Sequence, residues 1–265
     1  MADLTQSELD VIVNAALDRI AAKQVALATQ TTVQALACIR HYTQTRDALL
    51  RSYNWPFAEM QTELIQVVTL SLATTPASDW EVGDTIAGGT SVVTATVLTV
   101  NSSTEYVIAY KSGDFTDGET LSNGSDTATY SSDTVVTPNH KWAYQYYMPA
   151  ALVRLLNIHE DDGTDDTGER WAIQGRSILT DYDTVNIDYI WKVTDPTAFD
   201  ILFVEVLILR LAMKLINPLA GTASAKFKAE VREELRLAEG KAKVVASMEN
   251  NQSGRRDWNL SRYSG

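Results

Sequence analysis

The sequence predicts an α+β fold: a helical bundle host with a small antiparallel sheet, an inserted all-β module of barrel or sandwich type, and an extended C-terminal tail. Three observations predict it. Apolar residues recur every three or four positions toward both ends of the chain. Between about 75 and 138 the composition turns to Ser, Thr, Gly and Asp, with alternating runs such as TATVLTV and YVIAY that read as short strands between turns. The last residues, NNQSGRRDWNLSRYSG, have no periodicity at all. The expected organisation is therefore a host of 1–74 and 139–249, an insertion of 75–138, and a tail of 250–265.

Each element has its own signal. Ser7 with Asp10 resembles a capping box opening a short helix that runs through about Ala21. Leu36, Ile39, Tyr42, Arg46, Leu49 and Tyr53 fall on one stripe, which predicts a helix over about 31–54. The stretch LLRSYNWPFAEM then crowds Tyr53, Trp55 and Phe57 around Pro56, which stops the helix and pushes Trp55 into an extended conformation. Core anchoring is the common use of such rings and binding the rarer one; Trp55, Pro56 and Phe57 are expected to form a structural clasp. Leu64 to Leu72 reads as a strand.

The insertion contains an internal echo. Gly83-Asp84-Thr85-Ile86 with Gly88-Gly89-Thr90 resembles Gly118-Glu119-Thr120-Leu121 with Asn123-Gly124-Ser125, and Ala95-Thr96 and Ala128-Thr129 follow in turn. Two related hairpins explain it. The host resumes with WAYQYYMPAALVRLL, read as an aromatic strand, a proline at a helix start and a short helix. WAIQGRSILTD and VNIDYIWKV read as an antiparallel strand pair. Thr194 and Asp195 before Pro196 start a helix to about Ile216, which Asn217-Pro218 breaks. A last helix over about 224–248 sets Phe227, Val231, Leu235, Ala238, Ala242 and Val245 on one stripe.

Composition narrows function. The chain has 265 residues, 22 basic against 34 acidic, a net charge of −12 and a pI near 4.7. That excludes a surface that grips phosphates, while DNA that merely passes an acidic wall is left free to slide. The lone cysteine, Cys38, permits no internal disulfide and reads as a small buried hydrophobe. The start MADLTQSELD lacks a secretory pattern, and the apolar run Ile201 to Ile216 is interrupted by Glu205, Arg210 and Lys214. A soluble protein without membrane contact, assembled in a cytoplasm, is expected.

Chemistry-bearing motifs are scarce. The loop HEDDGTDDTGE joins His159 to Glu160, Asp161, Asp162, Asp165, Asp166 and Glu169, but without the alternation of a calcium loop. These acids read as solvated or channel-facing rather than metal ligands. His41 and His140 are isolated, and the glycines of GDTIAGG lie between strands, where hairpin turns are commoner than phosphate cradles. The sequence predicts no catalytic constellation, no metal and no cofactor. The C-terminal end differs from the rest: over residues 248–265, Arg255, Arg256 and Arg262 against Glu249 and Asp257 leave it at +1, with Trp258, Leu260 and Tyr263 interleaved. Arg, Trp and Tyr are the types that anchor interfaces, so these six residues are the candidate docking group.

RDALLRSYNWPFA, WAYQYYMPAALVRLL, WAIQGRSILTD and YIWKVTDPTAFDILFVEVLILRLAMKLINPLAG, in that order and followed by Arg256, Trp258 and Arg262, resemble the head-to-tail adaptors of short-tailed bacteriophages, the tail tubular protein A or head-completion family. The resemblance implies a virion protein at the head-to-tail interface: a ring of twelve copies under the portal protein that extends the DNA channel and seats a tail or nozzle protein. It also implies that the W-P-F-A element closes the long helix against the sheet. DNA then passes the acidic ring without specific binding. Two other classes stay open. A carbohydrate-binding or hydrolysing tail component would need exposed rings among Trp80, Tyr106, Tyr110, Phe115 and Tyr130; a regulatory or chaperone-like protein would be a monomer or dimer.

Overall fold

The computed structural model describes residues 2–27, 31–109, 112–138, 141–159, 171–219 and 224–250. In chain order the elements are α1 (Ala2–Asp18), α2 (Val33–Ser52), β1 (Glu59–Leu64), β2 (Val68–Leu72), β3 (Thr85–Gly88), β4 (Thr94–Ser102), β5 (Glu105–Ala109), β6 (Thr120–Ser122) and β7 (Thr127–Val135). They continue with β8 (Tyr144–Tyr147), β9 (Leu152–His159), β10 (Trp171–Gln174), β11 (Ser177–Thr180), β12 (Val185–Trp191), α3 (Ile201–Leu219) and α4 (Ser224–Asn250). The strands form sheets in the orders β1–β12–β9 and β10–β11–β8, and a closed barrel in the order β2–β5–β4–β3–β6–β7. With 37% helix and 31% strand, the chain is a mixed fold, and the expectation of a helical bundle host is overturned.

The reasons lie in particular segments. LVRLLNIH, expected as a short helix after Pro149, is strand β9. Its backbone finds partners outside itself: it pairs with β12, Arg51 Nη1 donates to the Val153 carbonyl, and just before the strand Lys192 N donates to the Ala151 carbonyl at 2.7 Å. Tertiary hydrogen bonding decides what local propensity leaves even. WAIQ and SILT form the hairpin β10–β11, turned at Gly175 with φ +62°, while VNIDYIW joins a different sheet. The run 64–72 breaks into two strands around Gln66, and the second, β2, belongs to the barrel, which thus begins at Val68. Ser7 lies inside α1 rather than at its cap, and Asp10 instead accepts from Leu27 N at 3.0 Å, tying the segment after the helix back onto it.

Two compact units divide the chain. The first holds Met1–Met60, Ala151–Leu155 and Tyr189–Gly265. Its centre is α3, whose Phe203, Val206, Leu207, Leu209, Leu211, Ala212, Leu215 and Ile216 are buried, and α1, α2 and α4 all pack on it. Pro196 opens a single 3-10 turn capped by Asp195, and α3 itself begins later, where the Asp200 carboxylate accepts from Leu202 N at 2.8 Å and Phe203 N at 3.2 Å. Trp55, buried before Pro56, donates its Nε1 to the Leu49 carbonyl at 2.9 Å, so the ring folds back on the helix it ends. The ring of Phe203 lies 5.1 Å from Trp55, 5.0 Å from Phe57 and 5.0 Å from Phe199. The proline turn after α2 is thereby packed on the first turn of α3.

The second unit holds Gln61–Ala150 and Leu156–Asp188 and contains the barrel. The core packs Val68, Leu70, Leu72, Ile86, Val97, Ile108 and Leu121 around four rings, Trp80, Tyr106, Phe115 and Tyr130. Alternation of apolar and polar residues along β4 and β7 sends one face of each strand inward.

Phe203 is the shared contact of three rings, so Phe203→Ala is expected to lower the stability of the helical unit by about 3–5 kcal/mol. Ile201→Ala, 79% exposed two positions earlier, should change it by less than about 0.5 kcal/mol. Urea unfolding followed by helical circular dichroism measures both, and equal midpoints for the two variants contradict the assignment of the aromatic cluster.

Candidate functional site

The residues of the sequence-derived site groups fall in three places. Glu160, Asp161, Asp162, Asp165, Asp166 and Glu169 lie outside the described residues, as do Arg255, Arg256, Trp258, Leu260, Arg262 and Tyr263, and also Tyr110 and His140. Trp55 and Phe57 lie in the aromatic cluster, where a cavity of about 50 Å³ is lined by Trp55, Pro56, Phe57, Leu202 and the α4 residues Ala242, Val245, Ala246 and Glu249. Directly beyond it, the Asn250 side chain donates to the Asn54 carbonyl at 3.2 Å. The end of α4, from which the tail continues, is thus fastened to the clasp.

The barrel rings are the third group. Trp80, Tyr106, Phe115 and Tyr130 are at most 9% exposed, so they fill the core and offer no face on which a sugar can stack. Two carboxylates of the barrel, Asp84 and Glu119, are occupied as well. The echo in the sequence extends further back than its glycines: Asp79-Trp80-Glu81-Val82-Gly83-Asp84-Thr85-Ile86 matches Asp114-Phe115-Thr116-Asp117-Gly118-Glu119-Thr120-Leu121. Gly83 and Gly118 both take positive φ, +98° and +73°, and put the following acid at the start of β3 or β6. Because β3 and β6 pair antiparallel, each acid reaches the loop of the other hairpin. Asp84 accepts from Asn123 Nδ2 at 2.8 Å in the β6–β7 turn, and Glu119 accepts from Thr90 N and Ser91 N, both at 2.9 Å, in the β3–β4 turn.

Glu119 is the stronger of the two. Burial pushes its pKa up, but the amide and hydroxyl of Ser91 and the amides of Thr90 and Thr116 outweigh it and hold the carboxyl at about 2. Bonds from Asn123 and the Glu81 amide lower Asp84 as well. A carboxyl kept ionised by four donors does not deliver a proton to a leaving group, so this pair is a structural device and not the acid and base of a glycosidase. The clamped loop also contains Val92, at φ +59° a strained conformation for a β-branched residue. Gly88 makes room for the clamp: a Cβ there would lie 2.3 Å from Ser91 Oγ and 2.8 Å from both Glu119 oxygens.

In the helical unit, His41, Gln44, Thr45 and Ala48 of α2, Arg210, Met213 and Lys214 of α3, and Leu235 of α4 line a groove of about 420 Å³. Its lining has no acid, and Arg210 is paired with Glu239 at 2.7 Å. Thr45 Oγ1 is committed to the His41 carbonyl at 2.7 Å, so the groove holds no activated hydroxyl. Cys38 is buried, which pushes its thiol up to about 11 and leaves it unreactive at neutral pH. Among the described residues no cluster of three His, Cys, Asp or Glu is placed to hold a metal ion, and no helix is long and apolar enough to cross a membrane.

What remains is surface. Leu36 and Ile39, on the stripe that predicts α2, are 51% and 50% exposed, and Val33 is 72% exposed beside them. The buried face of α2 runs instead through Ala35, Cys38, Tyr42, Thr45, Arg46 and Leu49. On α4, Val231, Ala238, Ala242 and Ala246 face inward, while Leu237, Val244 and Met248 form a second, exposed stripe that sequence reading missed. Its spacing of seven and four was the available signal. Gly240, on the same side, is flanked by open space in its own chain, although a glycine in a helix interior costs about 1 kcal/mol relative to alanine. No family model matches this chain, and no curated protein matches it.

The barrel clamp gives a pH test. Glu119 is ionised in the fold at a pKa below its ordinary value of 4.5, so its contribution is full above that value and is lost as pH falls toward 2. Thermal unfolding of the barrel should therefore drop across that window. Glu119→Gln and Gly88→Ala should both lower the midpoint at neutral pH, and Glu119→Gln should flatten the acid slope. An acid slope unchanged in Glu119→Gln would sink the clamp.

Proposed function

We propose that this chain is a structural assembly protein without catalytic activity, a head-to-tail adaptor of a short-tailed phage. In this reading it forms a ring under the portal protein, extends the DNA channel and presents a platform to a tail or nozzle protein. The observation that carries the proposal is the pair of exposed apolar stripes on α2 and α4, in a unit whose groove has no acid in its lining and no activated hydroxyl. Apolar surface of this kind marks contact with other proteins. The net charge of −12 supports it, because an acidic ring lets DNA slide where bound phosphates would stall ejection. The order of the sequence motifs described above supports it as well.

The tail gives the test. Fixing an extended segment costs about 1–2 kcal/mol per residue, so its Trp and Tyr must bury deeply where they dock. Removing 251–265 spares Asn250 and its bond to Asn54, and should leave a folded, soluble chain that no longer binds portal-bearing heads. Trp258→Ala should weaken attachment by at least ~30-fold, the equivalent of ~2 kcal/mol, and Ser264→Ala hardly at all. Electron microscopy of heads incubated with each variant reads the outcome; normal decoration by the truncated chain rules the docking role out.

A further inference from the structure

The two exposed helix stripes differ in content in a way that makes them complementary. On α2 the order from the N-terminus is apolar then basic: Val33, Leu36 and Ile39, followed by Arg40, which is exposed and has no ion-pair partner among the described residues. On α4 it is acidic then apolar, with two exposed bases, Arg236 and Lys241, set among them: Glu230, Glu233 and Glu234, followed by Leu237, Val244 and Met248. The three glutamates have partners, Lys226, Arg236 and Arg19, but these pairs are on the surface and hold little energy. Laid antiparallel, apolar meets apolar and Arg40 comes to the glutamates; laid parallel, each stripe meets the wrong half. Gly240 completes the match, since it leaves a notch in the α4 stripe that none of the described side chains of its own subunit fills. With Leu36 opposite that notch, Leu237 stands opposite Ile39 and Arg236 opposite Arg40, so Glu233, one turn on and already paired with Arg236, is the acid that Arg40 shares.

We propose that the α2 stripe of one copy packs antiparallel on the α4 stripe of the next. Two different faces meet, so the contact is heterologous: every added copy leaves one stripe of each kind open, and the series ends only by closing into a ring. The partner is a second copy of this chain. This rests on the ring-forming reading of the previous subsection and specifies its interface.

Mixing variants tests it. Leu36→Asp disables one face and Leu237→Asp the other, both at exposed positions where circular dichroism should stay unchanged. By mass photometry each variant alone should be monomeric, and an equimolar mixture should give dimers, because one intact α2 stripe then meets one intact α4 stripe. Gly240→Leu should raise the thermal midpoint, as a better helix former, and yet abolish assembly by filling the notch. The idea is overturned if either aspartate variant assembles like the wild type, if the mixture stays monomeric, if Gly240→Leu assembles normally, or if the wild-type chain is monomeric at every concentration. Head decoration is scored separately. Rings that assemble through these faces but ignore portal-bearing heads would remove the adaptor reading and leave this contact standing, whereas monomeric variants that still decorate heads as fully as wild type would do the reverse.

Discussion

A helix that is apolar around most of its circumference has to be covered on every side, and α3 is that helix here. Eight of its residues are buried, on positions that run around the cylinder rather than along one stripe. A single neighbour covers about a third of such a surface, so three helices are drawn in, and α1, α2 and α4 each pack on it. The proline turn after α2 is the device that holds one of these neighbours in place. Pro56 ends the helix, Trp55 returns to cap the Leu49 carbonyl, and the ring of Phe203 receives both Trp55 and Phe57. The question raised by so much ring surface around one proline is thus answered by the needs of the helix it faces.

The same constraint explains which surfaces are left over. Each covering helix spends one face on α3, and its outer face is free to carry whatever its solvent or its partners require. On the N-terminal half of α4 that face is charged. On the N-terminal half of α2 and the C-terminal half of α4 it is apolar, which burial within the chain does not explain.

The parts of the fold written in local chemistry were legible in the sequence. Pro56, the stripe through Val231, Ala238 and Ala242, and the paired Gly-acid-Thr turns of the barrel each follow from a rule about one residue and its near neighbours. Two kinds of feature were not. Where the partner is distant in sequence, the local pattern misleads: LVRLL has the composition of a helix and becomes β9, because β12 pairs with it and Arg51 bonds its backbone. Where a helix has two apolar stripes, periodicity alone does not say which faces the core. Leu36 and Ile39 share a spacing with Tyr42 and Leu49, and only the packing on α3 separates them. Of the candidate sites, the barrel acids were hidden for the opposite reason. Their repeat was visible, but each one serves the other repeat, a relation that needs the antiparallel pairing of β3 with β6 to be seen.

Closure of the barrel carries one further consequence, for crowding. TATVLTV and TATYSSDTV are stretches of high β-propensity with little charge, the kind of strand that recruits another chain when its edge is open. In the order β2–β5–β4–β3–β6–β7, with β7 returning to β2, every strand has a neighbour on both sides. No row of unpaired amides is offered to a passing copy. Copies crowded side by side can therefore bring their barrels together without fusing them into a common sheet.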